Sequence, residues 1–109
     1  MPSVKVYVDD EGAITCKPDP LKVGKTQGSV VIKWKMKTAG WEITGITDPD
    51  GNPLPKRKFI DSKKDDKTDW KIRDMNYDID EYEYVVHVQS LKTGECIAHD
   101  PIIRNGGRI

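Results

Sequence analysis

The side chains able to do chemistry in this sequence are few. There are two histidines, His87 and His99, and two cysteines, Cys16 and Cys96. One segment repeats oxygen-bearing side chains at every second or so position: Asp74, Asn76, Asp78 and Asp80. That pattern suits a hard cation, because calcium takes about six to eight oxygen ligands and its loops present acids and amides at alternate positions. Such a loop also wants glycine sixth and a bidentate glutamate twelfth, and those places hold Ile79 and Val85. Asp and Asn form turns as readily, by bonding nearby backbone amides. A side-chain-stabilised corner is therefore the expectation, with Asp74, Asn76, Asp78 and Asp80 as candidate metal ligands. The Asp48-Pro49-Asp50-Gly51-Asn52 stretch poses the same choice and reads as a plain turn.

Catalysis needs a nucleophile within reach of a base, or paired carboxylates in a pocket. Both histidines fall on the strands of a C-terminal hairpin and approach one another if those strands pair. Cys96 and His99 lie three apart on one strand and so face opposite ways, which weakens a dyad built from them. A blue-copper site needs two His, a Cys and often a Met. His87, Cys96, His99 and Met75 supply the atoms, but the tight loop cluster is missing. Neither histidine has an evident carboxylate orienter, and no glycine-rich phosphate loop occurs. The expectation is a protein that is not an enzyme, with no catalytic or cofactor-binding residues and no cofactor. The cysteines are expected as reduced, small core residues.

Composition narrows the partners. The 109 residues suit one domain over residues 1–109, with 18 basic and 18 acidic side chains. Zero net charge argues against a general nucleic-acid binder or a polybasic membrane protein. No apolar run approaches the ~20 residues of a membrane helix. No export signal is visible, so the expected compartment is the cytoplasm. The charge is unevenly spread: residues 56–73 hold eight basic and four acidic side chains, and residues 74–83 hold five acidic and none basic. The basic stretch is a solvated loop or a docking loop for an acidic surface.

Alternation, not helical spacing, positions these residues. Val4, Val6 and Val8 share a face opposite Lys5 and Tyr7; after the Asp9-Asp10-Glu11-Gly12 turn, Ile14 and Cys16 return beside them. Lys17-Pro18-Asp19-Pro20 interrupts pairing, because proline has no amide to donate. Leu21 and Val23 mark a short extended piece before a turn at residues 24–28. In the clearest strand Val30, Ile32, Trp34 and Met36 oppose Lys33, Lys35 and Lys37. Trp41 and Ile43 lead the next. Residues 57–60 read as a short edge strand, residues 62–69 as an exposed mobile loop, and Trp70 and Ile72 as a further strand. Tyr82, Tyr84, Val86 and Val88 oppose Glu81, Glu83, His87 and Gln89, and a hairpin at Lys92-Thr93-Gly94 returns the chain. Residues 102–104 resume an edge, and residues 105–107 begin a flexible tail. The expected core includes Val6, Ile32, Trp34, Trp41, Tyr84 and Val86.

Short strands at regular spacing predict an all-β domain, an immunoglobulin-like β-sandwich of about seven to nine mainly antiparallel strands. The run Asp78-Ile79-Asp80-Glu81-Tyr82-Glu83-Tyr84 resembles the entry to strand F of such domains. Tyr82 then becomes the corner tyrosine whose hydroxyl bonds upstream backbone, and Tyr84 takes the place of the second cysteine. The first cysteine's place is also apolar, so aromatic packing must replace the inter-sheet disulfide. Over nearly its full length the chain also resembles the DP-EP family of small bacterial proteins. The likeness is carried by Val4 to Val8 with the Asp9, Glu11 and Gly12 turn, Lys17-Pro18-Asp19-Pro20, Val30-Val31-Ile32-Lys33-Trp34, Gly40-Trp41, Tyr82-Glu83-Tyr84-Val85-Val86-His87-Val88 and Asp100-Pro101-Ile102-Ile103-Arg104-Asn105. The resemblance implies a β-sandwich and lends no catalytic residues, because the family has no established activity.

The functional expectation is a non-enzymatic protein-binding or structural module, monomeric or weakly homo-oligomeric, using loops or a strand edge. The alternative is a metal- or small-ligand-binding protein using the Asp74, Asn76, Asp78 and Asp80 segment or the two histidines.

Overall fold

The computed structural model describes residues 2–24 and 28–107. The turn expected at residues 24–28 therefore falls mostly outside the described residues. Among those described there are eleven strands and no helix: β1 (Ser3–Val8), β2 (Ile14–Lys17), β3 (Leu21–Val23), β4 (Val30–Met36), β5 (Trp41–Thr47), β6 (Phe59–Asp65), β7 (Asp69–Asp74), β8 (Ile79–Glu83), β9 (Val85–Ser90), β10 (Cys96–His99) and β11 (Ile102–Gly106). They form a five-stranded sheet ordered β2-β1-β4-β7-β6 and two three-stranded sheets, β10-β9-β5 and β3-β11-β8. Every pairing is antiparallel except β1 with β4 and β3 with β11.

The all-β expectation holds, but eleven strands exceed the seven to nine expected. One expected strand is divided between two sheets, and the run facing it is divided at the interruption the sequence already marks. The run over residues 79–90 breaks at Tyr84, so that β8 pairs with β11 while β9 pairs with β5 and β10. The facing run breaks at Asp100 and Pro101, and there the Tyr84 amide donates to the Pro101 carbonyl at 3.0 Å. A proline cannot return such a bond, which suits it to the point where two ladders part. β6 begins within the edge strand expected at residues 57–60 and runs on past it. It occupies much of the loop expected at residues 62–69, and only residues 66–68 turn. Charged residues hid this continuation from hydrophobic patterning, since an edge strand keeps much of its surface in water.

Period-two alternation puts one face of each strand inside. In β1 Val4, Val6 and Val8 are buried while Lys5 and Tyr7 are exposed. The five-stranded sheet contributes Ile32, Trp34, Ile72 and Phe59 to a continuous apolar cluster. Ile43, Ile46, Val86 and Val88 enter it from β5 and β9, and Leu21, Val23 and Ile103 from β3 and β11. At its centre Trp34 Nε1 donates to Tyr84 Oη at 3.0 Å, with the rings edge to face at 69° and 5.4 Å between centroids. Five of the six expected core residues are fully enclosed. Trp41, at the first residue of β5, is only partly buried and packs against the rim of the cluster.

Further corrections concern the C-terminal half. β11 is a central strand, flanked by β3 and β8, and not a resumed edge. Asn105 and Gly106 belong to it and Gly107 is buried, so residues 105–107 form no loose tail. Gly107 has φ +79°, and a Cβ there would stand 2.9 Å from Ile79 Cγ1 and 3.1 Å from the Asp78 carbonyl carbon. Only glycine satisfies both demands.

The open edge of β5 is covered at Ile43. Its amide donates to Thr68 O at 2.9 Å, and its carbonyl accepts from Lys64 Nζ at 2.8 Å. Lys64 also holds Glu42 at 2.9 Å, so the β6–β7 hairpin is fastened to β5.

Candidate functional site

The candidate metal ligands Asp74, Asn76, Asp78 and Asp80 do not converge. Asp74 ends β7 with its side chain buried, and its Oδ1 accepts from the Asn76 amide at 2.9 Å and from Asn105 Nδ2 at 3.0 Å. Asn76, at φ +53°, accepts from the Gly107 amide at 3.0 Å and donates to Gly24 O at 3.0 Å. These bonds clasp β7 to the end of β11. Among the described residues, Asp74 Oδ2 and Asn105 Oδ1 are buried without a hydrogen-bond partner. Burial raises the Asp74 pKa above the usual carboxylate value, against the lowering effect of the two amides it accepts from; the Asp78 charge adds to the rise.

Asp78 points elsewhere. Its Oδ2 accepts from Tyr82 Oη at 2.7 Å and pairs with Lys58 Nζ at 2.9 Å. Lys58, then Tyr82, hold its carboxyl below the usual value. The corner tyrosine thus bonds a side chain four residues upstream, not backbone as expected, and its ring stacks edge to face on Phe59 at 5.0 Å. Asp80 is exposed and accepts from the Glu81 amide at 2.8 Å. The segment is a corner held by its own side chains. The Asp48 stretch is likewise a turn: Asp48 Oδ1 accepts from the Asp50 and Asn52 amides, as Asp9 Oδ1 does from those of Glu11 and Ala13. No three His, Cys, Asp or Glu side chains gather to hold a metal among the described residues.

The histidines are paired out of reach of each other. The β9–β10 register sets His87 opposite Ala98 and His99 opposite Val86, so the two rings lie on opposite faces. His87 Nε2 lies 2.8 Å from Thr47 Oγ1. His99 borders a shallow hollow with Pro49, Val85, Ala98 and Asp100. Cys96 is on the face of His87, opposite Gln89, and is exposed rather than in the core. Cys16 is buried as expected, and both are free thiols. Burial, with the nearby Asp19 charge, pushes the Cys16 thiol up to about 12.

A different feature gathers charge. The outer face of the five-stranded sheet carries Lys17 from β2, Lys5 from β1, Lys33 and Lys35 from β4, Lys71 and Arg73 from β7, and Lys63 from β6. The register opposes like charges directly in four places: Lys5 with Lys17, Lys5 with Lys35, Lys33 with Lys71, and Lys63 with Lys71. Directly opposed like charges destabilise a sheet. Three acids temper the field. Asp65 lies 3.5 Å from Lys33 and 3.8 Å from Lys71, and Asp61 lies 3.9 Å from Arg73. Asp69 Oδ1 is engaged by the Met36 amide. Among the described residues, Lys5, Lys17, Lys35 and Lys63 have no ion-pair partner.

The β6 edge shapes this face. Between Ile60 and Lys63 the register slips, with Asp61 at φ +55°. The resulting bulge opens a notch of about 120 Å³ lined by Val31, Asp61, Lys63, Lys71 and Arg73. A second hollow of about 310 Å³, lined by Leu54, Phe59, Ile72 and Lys56 among others, shares Asp61 with it.

The sequence flagged the alternating lysines of β4 and the basic excess of residues 56–73. It did not join them, because the face is assembled from five strands through one parallel and three antiparallel pairings. Scanned against models of known families the chain matches none, and a search of curated proteins finds no similar sequence.

Proposed function

We propose that this chain is a non-enzymatic protein-binding module that docks an acidic partner on the outer face of its five-stranded sheet. The observation that carries the reading is the set of four directly opposed like-charged pairs on that face. Each costs the free protein a few tenths of a kcal/mol, roughly 0.2–1, and a polyanionic surface laid across them reverses the sign. The face has one exposed aromatic, Tyr7, whose ring lies under Lys17 Nζ at 5.7 Å. That offers no platform for stacking several bases, and with zero net charge it favours an acidic protein over nucleic acid.

The same proposal takes the fold as an immunoglobulin-like sandwich of the DP-EP kind. The order β1-β4-β7-β6 resembles strands A-B-E-D, and β5, β8 with β9, and β10 with β11 resemble C, F and G. The Trp34–Tyr84 pair stands where the inter-sheet disulfide would be. The parallel pairing of β1 with β4 departs from that pattern.

Titration of a fluorescein-labelled octaglutamate peptide at low ionic strength tests the docking face. Binding should weaken at least tenfold in a Lys5→Glu, Lys33→Glu, Lys35→Glu triple variant that melts like the parent, and stay within twofold in Lys22→Glu, Lys92→Glu. Equal binding by the parent and the triple variant would remove the basis of the proposal.

A further inference from the structure

We infer that the notch at the β6 bulge is a subsite for the phosphoryl group of a phosphorylated side chain on the docked partner. The inference rests on the reading of the basic face as a protein-docking surface and names the group that anchors it.

Three cations border the notch, Lys63 from β6 and Lys71 and Arg73 from β7. Lys63 and Lys71 are direct cross-strand partners, so their side chains leave the same face from Cβ atoms about 4.5–5.5 Å apart. Arg73 is two residues along from Lys71 and therefore on the same face. With Asp61 counted, the side chains bordering the notch carry a net charge of two positive, three cations against one anion. A phosphomonoester brings about −1.5 to −2 at neutral pH and three strong acceptor oxygens. It matches the charge and brings one acceptor oxygen for each of the three cationic side chains, whereas a carboxylate brings one charge and two oxygens.

The existing ion pairs are loose enough to exchange. Arg73 Nε is 3.9 Å from Asp61 Oδ2, and Lys71 Nζ is 3.8 Å from Asp65 Oδ1, both beyond hydrogen-bond length. Lys63 has no ion-pair partner among the described residues. Asp61 is exposed, and its carboxylate is the one group bordering the notch that opposes an anion. A guest phosphoryl group therefore takes over the guanidinium that Asp61 holds at a distance. The adjoining hollow beside Leu54 and Phe59 then receives an apolar side chain next to the phosphorylated residue.

The test uses amide chemical shifts of the labelled full chain. It is titrated with N-acetyl-Gly-phosphoserine-Gly-amide, its serine and glutamate counterparts, and inorganic phosphate. The phosphopeptide should shift the amides of Lys63, Lys71 and Arg73 saturably, and bind at least tenfold tighter than the glutamate peptide and threefold tighter than inorganic phosphate. Lys71→Gln and Arg73→Gln should each weaken it about tenfold, Asp61→Asn should tighten it about threefold, and Lys22→Gln, on β3 of another sheet, should leave it within twofold. Equal binding of the glutamate and phosphoserine peptides would sink the phosphoryl subsite while leaving the acidic-docking proposal standing. So would an effect of Lys22→Gln as large as that of Lys71→Gln. Tightest binding by inorganic phosphate would reassign the notch to the free ion. Failure of octaglutamate as well would remove both readings.

Discussion

Trp34 and Tyr84 share one hydrogen bond and one edge-to-face contact, and both side chains are wholly enclosed. Trp34 Nε1 has Tyr84 Oη as its hydrogen-bond acceptor at the centre of the core. Removing that oxygen strands a buried donor, which costs about 1–3 kcal/mol. Tyr84→Phe is therefore expected to lower stability by that amount in denaturant unfolding at unchanged slope. Trp34→Ala, which also empties a large volume, is expected to cost about 3–5 kcal/mol.

Asp74 gives the stability a definite pH dependence. Its folded pKa is raised, so the folded chain holds this proton more tightly than the unfolded one. The stabilisation is complete below the unfolded value and is lost as pH rises through the folded value. Asp78 has the opposite sign: its folded pKa is lowered, so its contribution is present above the unfolded value and fades in acid. Urea midpoints taken from pH 4 upward for the parent and Asp74→Asn isolate the first effect. The parent should lose stability relative to the variant as pH rises. A difference that stays flat would show that Asp74 does not hold its proton.

The two thiols should differ in reactivity. The thiolate is the reactive form, and Cys16 is buried with its pKa pushed up to about 12, while Cys96 is exposed. Alkylation of the native protein near neutral pH should label Cys96 promptly and spare Cys16 until denaturant is added. Peptide mapping reads the order, and early labelling of Cys16 would contradict the packing of β2.

The opposed lysines should be measurable without any partner. Lys5 faces both Lys17 and Lys35. Lys5→Glu converts two repulsions into attractions and should raise the midpoint of thermal unfolding, by up to about 1 kcal/mol of stability. The gain should shrink in high salt, where exposed charges are screened. A loss of stability at low salt would mean that the repulsion across this face is negligible.

The sequence revealed strands wherever one face is apolar. Val4, Val6 and Val8, or Ile32 and Trp34, declare their side by alternation, and the structure buries them as read. The reach of β6 beyond Ile60 was invisible because Asp61, Ser62 and Lys63 are all exposed, and only pairing with β7 makes that part a strand. The division of residues 79–90 at Tyr84 was equally hidden, since apolar parity continues through the break while the hydrogen-bond partners change. The corner at Asp74 to Asp80 was legible as side-chain-stabilised. Its tie to Asn105 and Gly107 was not, because those partners are 31 residues away in sequence.

The fastening of Ile43 bears on how copies of this chain behave in crowded solution. A sheet edge with free amides and carbonyls is a template on which another strand can grow. At Ile43 both groups of the outer edge are already taken, by Thr68 and by the Lys64 ammonium. An incoming strand would have to displace a charged side chain and meet Glu42 beside it. The lysine that joins two layers of the fold thus also serves as a gatekeeper against fibril growth along β5.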